Sequence, residues 1–183
     1  AIANVLEAGG TVLGDVAHVA VSRNPGAHLV EKVLFAFRHR PGLDLIRSRL
    51  AQQRSVQGIE DRLGAPLGAR PFRGTVHKVE HHRAHLASAF FCSPFPEAAC
   101  LTMDGFGDFL SSMGAVGRGN RLEILDDVMF PHSMGIFYTA VTQWLGFPKY
   151  GDEGKVMGLA PYGDPERFLP RMRELVKLDG DGF

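Results

Sequence analysis

The sequence predicts an α/β fold built on a mixed sheet. Short apolar runs at Val16–Val21 and Ala98–Met103 have the length and composition of strands. Segments with apolar residues at helical spacing alternate with such strands early in the chain. Later, two strand-like segments flank Gly117-Arg118-Gly119-Asn120, which predicts an antiparallel hairpin.

Residues 1–10 read as the end of a helix stopped by Gly9-Gly10. Val16–Val21 (VAHVAV) is nearly all apolar and predicts a strand buried on both faces. Leu29, Val30, Val33, Leu34 and Phe37 fall on one helical face, and Pro41-Gly42 closes that helix. A second helical stretch runs from Leu43 to about Leu63, with Arg47, Arg49 and Arg54 on a solvated face. Residues 64–74 read as a loop inside one domain. Thr75–Glu80 predicts a short strand, and His82–Phe91 a helix ending at Ser93-Pro94. Ala98–Met103 (AACLTM) reads as a buried strand running into Asp104-Gly105-Phe106-Gly107-Asp108. Phe109–Val116 and Leu122–Met129 are the hairpin arms. Ser133 is placed to cap a helix whose apolar positions are Met134, Phe137, Tyr138, Val141, Trp144 and Leu145, with Gly146 ending it. A glycine-rich loop from Tyr150 to Gly163 follows, and Pro165–Lys177 predicts a last helix.

Composition narrows the functional classes. The 183 residues suit one domain, since domains average about 150 residues. Lys plus Arg number 20, Asp plus Glu number 20, and mean hydropathy is −0.03, which argues against disorder and against a collagen-like or disulfide-scaffold class. A neutral balance provides no electrostatic reason for nucleic acid or an anionic membrane as the main partner. No apolar run approaches the roughly 18 residues of a membrane span, and no secretory signal is visible, so the expected compartment is the cytoplasm. Assembly as a homo-oligomer stays open. Cys92 and Cys100 form no CxxC pair and are expected to be small buried residues in a reducing compartment. The chain opens inside a helix at Ala1 and closes on Asp179-Gly180-Asp181-Gly182-Phe183, so we expect a piece of a longer protein. Glycine is unusually frequent: 13 of the 22 glycines fall from Asp104 onward, where they mark tight turns or close backbone approach to a ligand.

Four of the eight histidines lie between His77 and His85. On a helix starting near His81, His81 and His85 project from one face and can share a metal ion. His82 and His85, three apart, are the competing pair, and a cluster of structural histidines is the plainer alternative. Asp104 is the best third ligand, because ligands of open α/β sheets bind just beyond the carboxyl ends of strands. Gly105 and Gly107 beside it would let phosphate oxygens approach; a simple Asp-Gly turn is the alternative. The segment Gly151–Gly163 holds a Gly-Lys pair without being a phosphate-binding Walker loop, since Lys149 and Val156 stand where glycine and Ser or Thr are required. It can still offer backbone N–H groups and the Lys155 ammonium to a nucleotide.

From His81 to Gly163 the order HHRAHLASAFFCSPF, LTMDGFGD, FPHSMGIFYTAVTQWLGF and EGKVMGLAPYG resembles the O-carbamoyltransferases of the nodulation-protein and antibiotic-tailoring type. The resemblance implies that residues 1–183 are part of an N-terminal carbamoyltransferase domain. It implies an actin/sugar-kinase-like (ribonuclease H-like) mixed sheet with flanking helices, incomplete at both ends. It also implies use of ATP and carbamoyl phosphate to make carbamoyl-adenylate, with transfer of the carbamoyl group to a hydroxyl of a small-molecule or saccharide acceptor. The family's metal histidines fall on His81 and His85 and its first metal aspartate on Asp104, with iron the usual metal. Gly105, Gly107, Lys155 and Gly158 fall in its nucleotide region. A fourth ligand, the opening phosphate loop and a C-terminal domain are expected outside this chain, which alone is not expected to complete a turnover. A hydrogenase-maturation carbamoyltransferase has a similar histidine cluster, but SMGIFY and MGLAPYG favour the first family. A non-catalytic metal- or nucleotide-binding module is the alternative from another class.

Overall fold

A computed structural model describes residues 2–40, 42, 63 and 72–177. The chain divides into two compact units, residues 1–84 and 85–183. The division falls inside one continuous helix, α3 (His81–Phe90). The helical stretch expected over 43–63, with Arg47, Arg49 and Arg54, and the loop expected over 64–71 lie outside the described residues apart from Leu63.

The first unit carries α1 (Ile2–Ala8), β1 (His18–Val21), α2 (Leu29–His39) and β2 (Thr75–Lys78). β1 and β2 pair in parallel, with His18 opposite Thr75 and Val21 opposite Lys78. A parallel pair needs a long crossover, and α2 lies in the connecting stretch. β1 does not have the two buried faces expected of it: its residues alternate between exposed and half-buried. The apolar side of α2 is also uncovered among the described residues, with Phe37 84% exposed and Val30 68%. Helical spacing tells which face is apolar, not what covers it.

The second unit holds the rest of α3, then β3 (Glu97–Gly107), β4 (Leu110–Arg118), β5 (Arg121–Met129), α4 (Met134–Trp144), α5 (Glu153–Leu159) and α6 (Pro165–Leu175). The three strands form an antiparallel meander in the order β3-β4-β5. Cys100 stands opposite Ala115, and Ala115 opposite Ile124. The protein is thus mixed α/β, but among the described residues parallel and antiparallel pairing occur in two separate sheets, not one mixed sheet.

β4 is the central strand, and its residues are mostly buried. Leu86 of α3 packs on Leu110, Met113 and Ala115, with Cys100, Leu122, Ile124 and Met129 around them. Burying each such aliphatic side chain stabilises the fold by about 1.5–3 kcal/mol. Gly117 lets Phe90 lie directly on the sheet, since a Cβ there would come within 2.6 Å of the Phe90 ring. β3 departs from the expected doubly buried strand. It alternates, leaving Leu101 73% exposed, because an antiparallel sheet needs a covering layer on only one face. It also runs further than expected, so that Asp104 sits within the strand and not beyond its end.

Ser133 caps α4 as predicted: its Oγ accepts the Ile136 N–H at 3.1 Å. Asp164 caps α6 in the same way, accepting the Glu166 N–H at 3.0 Å. The glycine-rich stretch is not a loop. Residues 153–159 form α5, and Ala160–Tyr162 add a 3₁₀ turn. Glu153, Lys155, Met157 and Leu159 favour helix strongly enough to absorb Gly154 and Gly158. Cys92 is exposed just after α3 instead of buried, whereas Cys100 is half-buried against the core. No helix among the described residues is long and apolar enough to cross a membrane.

Candidate metal centre

The histidine helix starts where it does because of Glu80. Its buried carboxylate accepts the His82 N–H at 2.9 Å and the Arg83 N–H at 2.8 Å. Two of the donors that a helix start leaves without partners are thereby satisfied. With the helix begun at His81, His81 and His85 lie one turn apart on the same face. His82 points elsewhere and is fully buried. The geometry therefore selects the pair His81/His85 over His82/His85.

Asp104 comes to the same place from β3. Its Oδ2 lies 3.5 Å from His85 Nε2. One ligand atom each from His81, His85 and Asp104 all fall within 4.8 Å of one another. Donors bound at about 2.1 Å to one tetrahedral ion stand about 3.4 Å from one another, so the three groups would have to draw together to share an ion. Two imidazoles and a carboxylate suit iron, zinc, cobalt or manganese better than magnesium, which prefers an all-oxygen shell. The chemistry of these donors suits the kind of metal that the family resemblance implies.

The backbone that carries Asp104 is gripped by the start of α4. Ser133 Oγ lies 3.1 Å from the Asp104 carbonyl oxygen and 2.7 Å from that of Gly105, and donates to them. Gly135 lies so close that a Cβ on it would stand 2.4 Å from the Asp104 carbonyl oxygen. Sequence reading identified Ser133 as a cap only and passed over Gly135 and Glu80. Glutamate is not among the side chains that ordinarily mark a helix start, so the sequence carries no clear signal for the role of Glu80. Nothing in the sequence marks the contact of Gly135 with residue 104.

Gly105 and Gly107 lie in β3 beside Asp104, where Gly105 faces Ile136 at a distance a methyl group would tolerate. Lys155 and Gly158 lie on α5. The Lys155 ammonium is 2.7 Å from Asp152 Oδ1, so its charge is already met within its own segment. Asp152 Oδ2 also accepts the Lys149 N–H at 2.9 Å. The Lys155 bond, then the Lys149 N–H, hold the Asp152 carboxyl below its ordinary range, against the opposing effect of burial. Glu153 is likewise held low, chiefly by the Thr139 hydroxyl, which donates to its Oε1 at 2.7 Å and ties α5 to α4. Gly154 and Gly158, one turn apart, both face open space.

Over 103 residues the chain is 47% identical to an uncharacterized protein of Synechocystis, covering 56% of this chain and 17% of that protein. It is 43% identical over 108 residues to nodulation protein NolO of Bradyrhizobium diazoefficiens, covering 57% of this chain and 19% of that protein. It is 41% identical over 106 residues to nodulation protein NolNO of Sinorhizobium fredii, covering 57% and 15%. The chain thus spans less than a quarter of the length of these curated relatives. The family model described as carbamoyltransferase N-terminus matches residues 47–183, a stretch that includes both histidines, Asp104 and the glycine-rich helix, and the chain belongs to that family.

Proposed function

We propose that this chain is the metal-holding part of an O-carbamoyltransferase. The observation that carries the reading is the convergence of His81, His85 and Asp104 within 4.8 Å, in a chain matched by the carbamoyltransferase N-terminus model. In this reading carbamoyl-adenylate, made from ATP and carbamoyl phosphate, is the donor. An acceptor hydroxyl oxygen forms a bond to the carbamoyl carbon, the bond from that carbon to the AMP phosphate oxygen breaks, the hydroxyl proton is released, and AMP leaves. The acceptor is a small molecule or a saccharide. The reading also takes the fold to be of the actin/sugar-kinase type and the compartment to be the cytoplasm.

The two imidazoles and the Asp104 carboxylate would hold the metal, iron being the leading candidate. Once bound, such a cation offers positive charge to phosphate oxygens. The chain's own residues have separate tasks. Glu80 fixes the helix register that presents His81 and His85. Gly105 lies beside Asp104 in the stretch proposed to meet the nucleotide, with Gly107 buried at the end of the strand. Gly158 leaves an open helix face for the nucleotide, and Asp152 keeps Lys155 aimed along α5.

The test is to supply the full-length protein with carbamoyl phosphate, ATP and a panel of hydroxyl acceptors, and to follow products by mass spectrometry. The expected result is AMP formed only when carbamoyl phosphate is present, together with an acceptor heavier by one carbamoyl group. Absence of carbamoyl-phosphate-dependent AMP would defeat the proposal.

A further inference from the structure

We propose that Ser133 and Gly135 are positioning residues for the Asp104 carboxylate, and that they set the affinity of the His81–His85–Asp104 group for a divalent transition-metal ion. The inference rests on the metal reading of that group.

The first support is a gap in the β3–β4 ladder. Pairing is regular down to Met103 opposite Ser112 and resumes only at Gly107 opposite Leu110. The peptide that carries Asp104 lies inside this irregular stretch. The second support is the use of the Ser133 hydroxyl. A helix cap needs only an oxygen that accepts, which Ser133 provides to the Ile136 N–H. Its proton is free for another partner, and both acceptors in reach are the carbonyls of Asp104 and Gly105. The third is the approach of Gly135. A Cβ there would stand 2.4 Å from the Asp104 carbonyl oxygen, 2.5 Å from its carbonyl carbon and 2.7 Å from the Gly105 nitrogen. All three atoms are backbone and cannot swing aside as a flexible side chain could.

The first turn of α4 thus grips the backbone of Asp104 and Gly105 where the β3–β4 register shifts. Metal ligation tolerates only about 0.2 Å of error in each bond, so moving the Asp104 backbone moves the carboxylate out of range. Partners behind a ligand typically change metal affinity by roughly 10- to 100-fold.

Co²⁺ is the probe, because its visible d–d absorption reports ligand number and geometry. The full-length protein, stripped with a chelator, is titrated as wild type, Asp104→Asn, Ser133→Ala, Ser133→Thr, Gly135→Ala and Thr139→Val. Ser133→Ala and Gly135→Ala are expected to weaken Co²⁺ binding by roughly 10- to 100-fold and to alter the d–d band. Ser133→Thr keeps the hydroxyl and is expected to bind nearly as wild type. Thr139→Val breaks the bond from α4 to Glu153 and is expected to lower Tm while leaving Co²⁺ affinity unchanged. Wild-type affinity and spectrum in Ser133→Ala, with binding lost in Asp104→Asn, would overturn the proposal and leave the metal reading intact. Thr139→Val weakening the metal as much as Ser133→Ala would also overturn it, since α4 would then act through general stability. Wild type that binds no Co²⁺, or Asp104→Asn that binds it unchanged, would remove the metal reading and the proposal together. Should Gly135→Ala fail to fold, the Ser133→Ala and Ser133→Thr pair decides.

Discussion

The donor atoms around His85 come from a helix and a strand, each held by a different neighbour: Glu80 behind the histidines, and the start of α4 behind Asp104. The segment from Lys149 to Gly163 is wired the other way. Asp152 reaches three residues back to the Lys149 N–H and three forward to Lys155, and Thr139 supplies one tie to the preceding helix. In the first region a glycine is forced by what lies against it, as at Gly135. In the second, Gly154 and Gly158 meet nothing. Close packing makes a site precise and intolerant of change. Local wiring makes a segment self-supporting and leaves its face open for something to approach.

The contrast breaks most visibly at the ligands. His81→Ala, His85→Ala and Asp104→Asn are each expected to reduce bound transition metal to background in elemental analysis of the purified protein. Lys155→Ala is expected to leave metal content as in wild type. Equal metal loss in Lys155→Ala would mean that the two regions are one site.

Next in size is Gly135→Ala, which forces a methyl group into the Asp104 peptide. Overpacking of this kind costs about 1–3 kcal/mol, to be read as a lowered midpoint in urea with an unchanged slope. A midpoint equal to wild type would show that the strand can move aside at no cost.

The acid response isolates the second region. Asp152 and Glu153 titrate lower in the folded protein than in the unfolded chain. Their contacts therefore add stability above the ordinary carboxylate range, and that stability is lost as pH falls through their folded values. Asp152→Asn is expected to lower Tm at neutral pH, with the gap to wild type closing below about pH 4. A gap of equal width in acid would show that shape and not charge holds the segment.

The smallest effect is expected at Gly158→Ala. With open space around it and a helical backbone, alanine should stabilise the protein by up to about 1 kcal/mol. If the bare face admits a nucleotide, the same variant loses ATP affinity while gaining stability, and calorimetric titration separates the two. Unchanged ATP affinity would argue against a nucleotide on that face.

Much of this was legible in the residues alone. Most helix and strand positions follow from spacing, and the cap at Ser133 follows from a side chain that competes for backbone N–H groups. His81 and His85 are readable as a pair because four residues make one helical turn. The errors share a cause. The doubly buried strands and the buried Cys92 are expectations from composition, which records what a side chain prefers and not which neighbour reaches it. The glycine-rich loop was inferred from glycine count, and the helix formers between the glycines outweighed it.

By itself the sequence determined most of the local elements, the alternation of helix and strand, and the pairing of His81 with His85 on one helical turn, because each depends on contacts within a few residues along the chain. Only the tertiary structure decided that Asp104 lies inside a strand, that its peptide is held by Ser133 and Gly135, and that His85 and Asp104 meet at 3.5 Å. Those contacts join residues far apart in the chain, and no local preference encodes a distance between them.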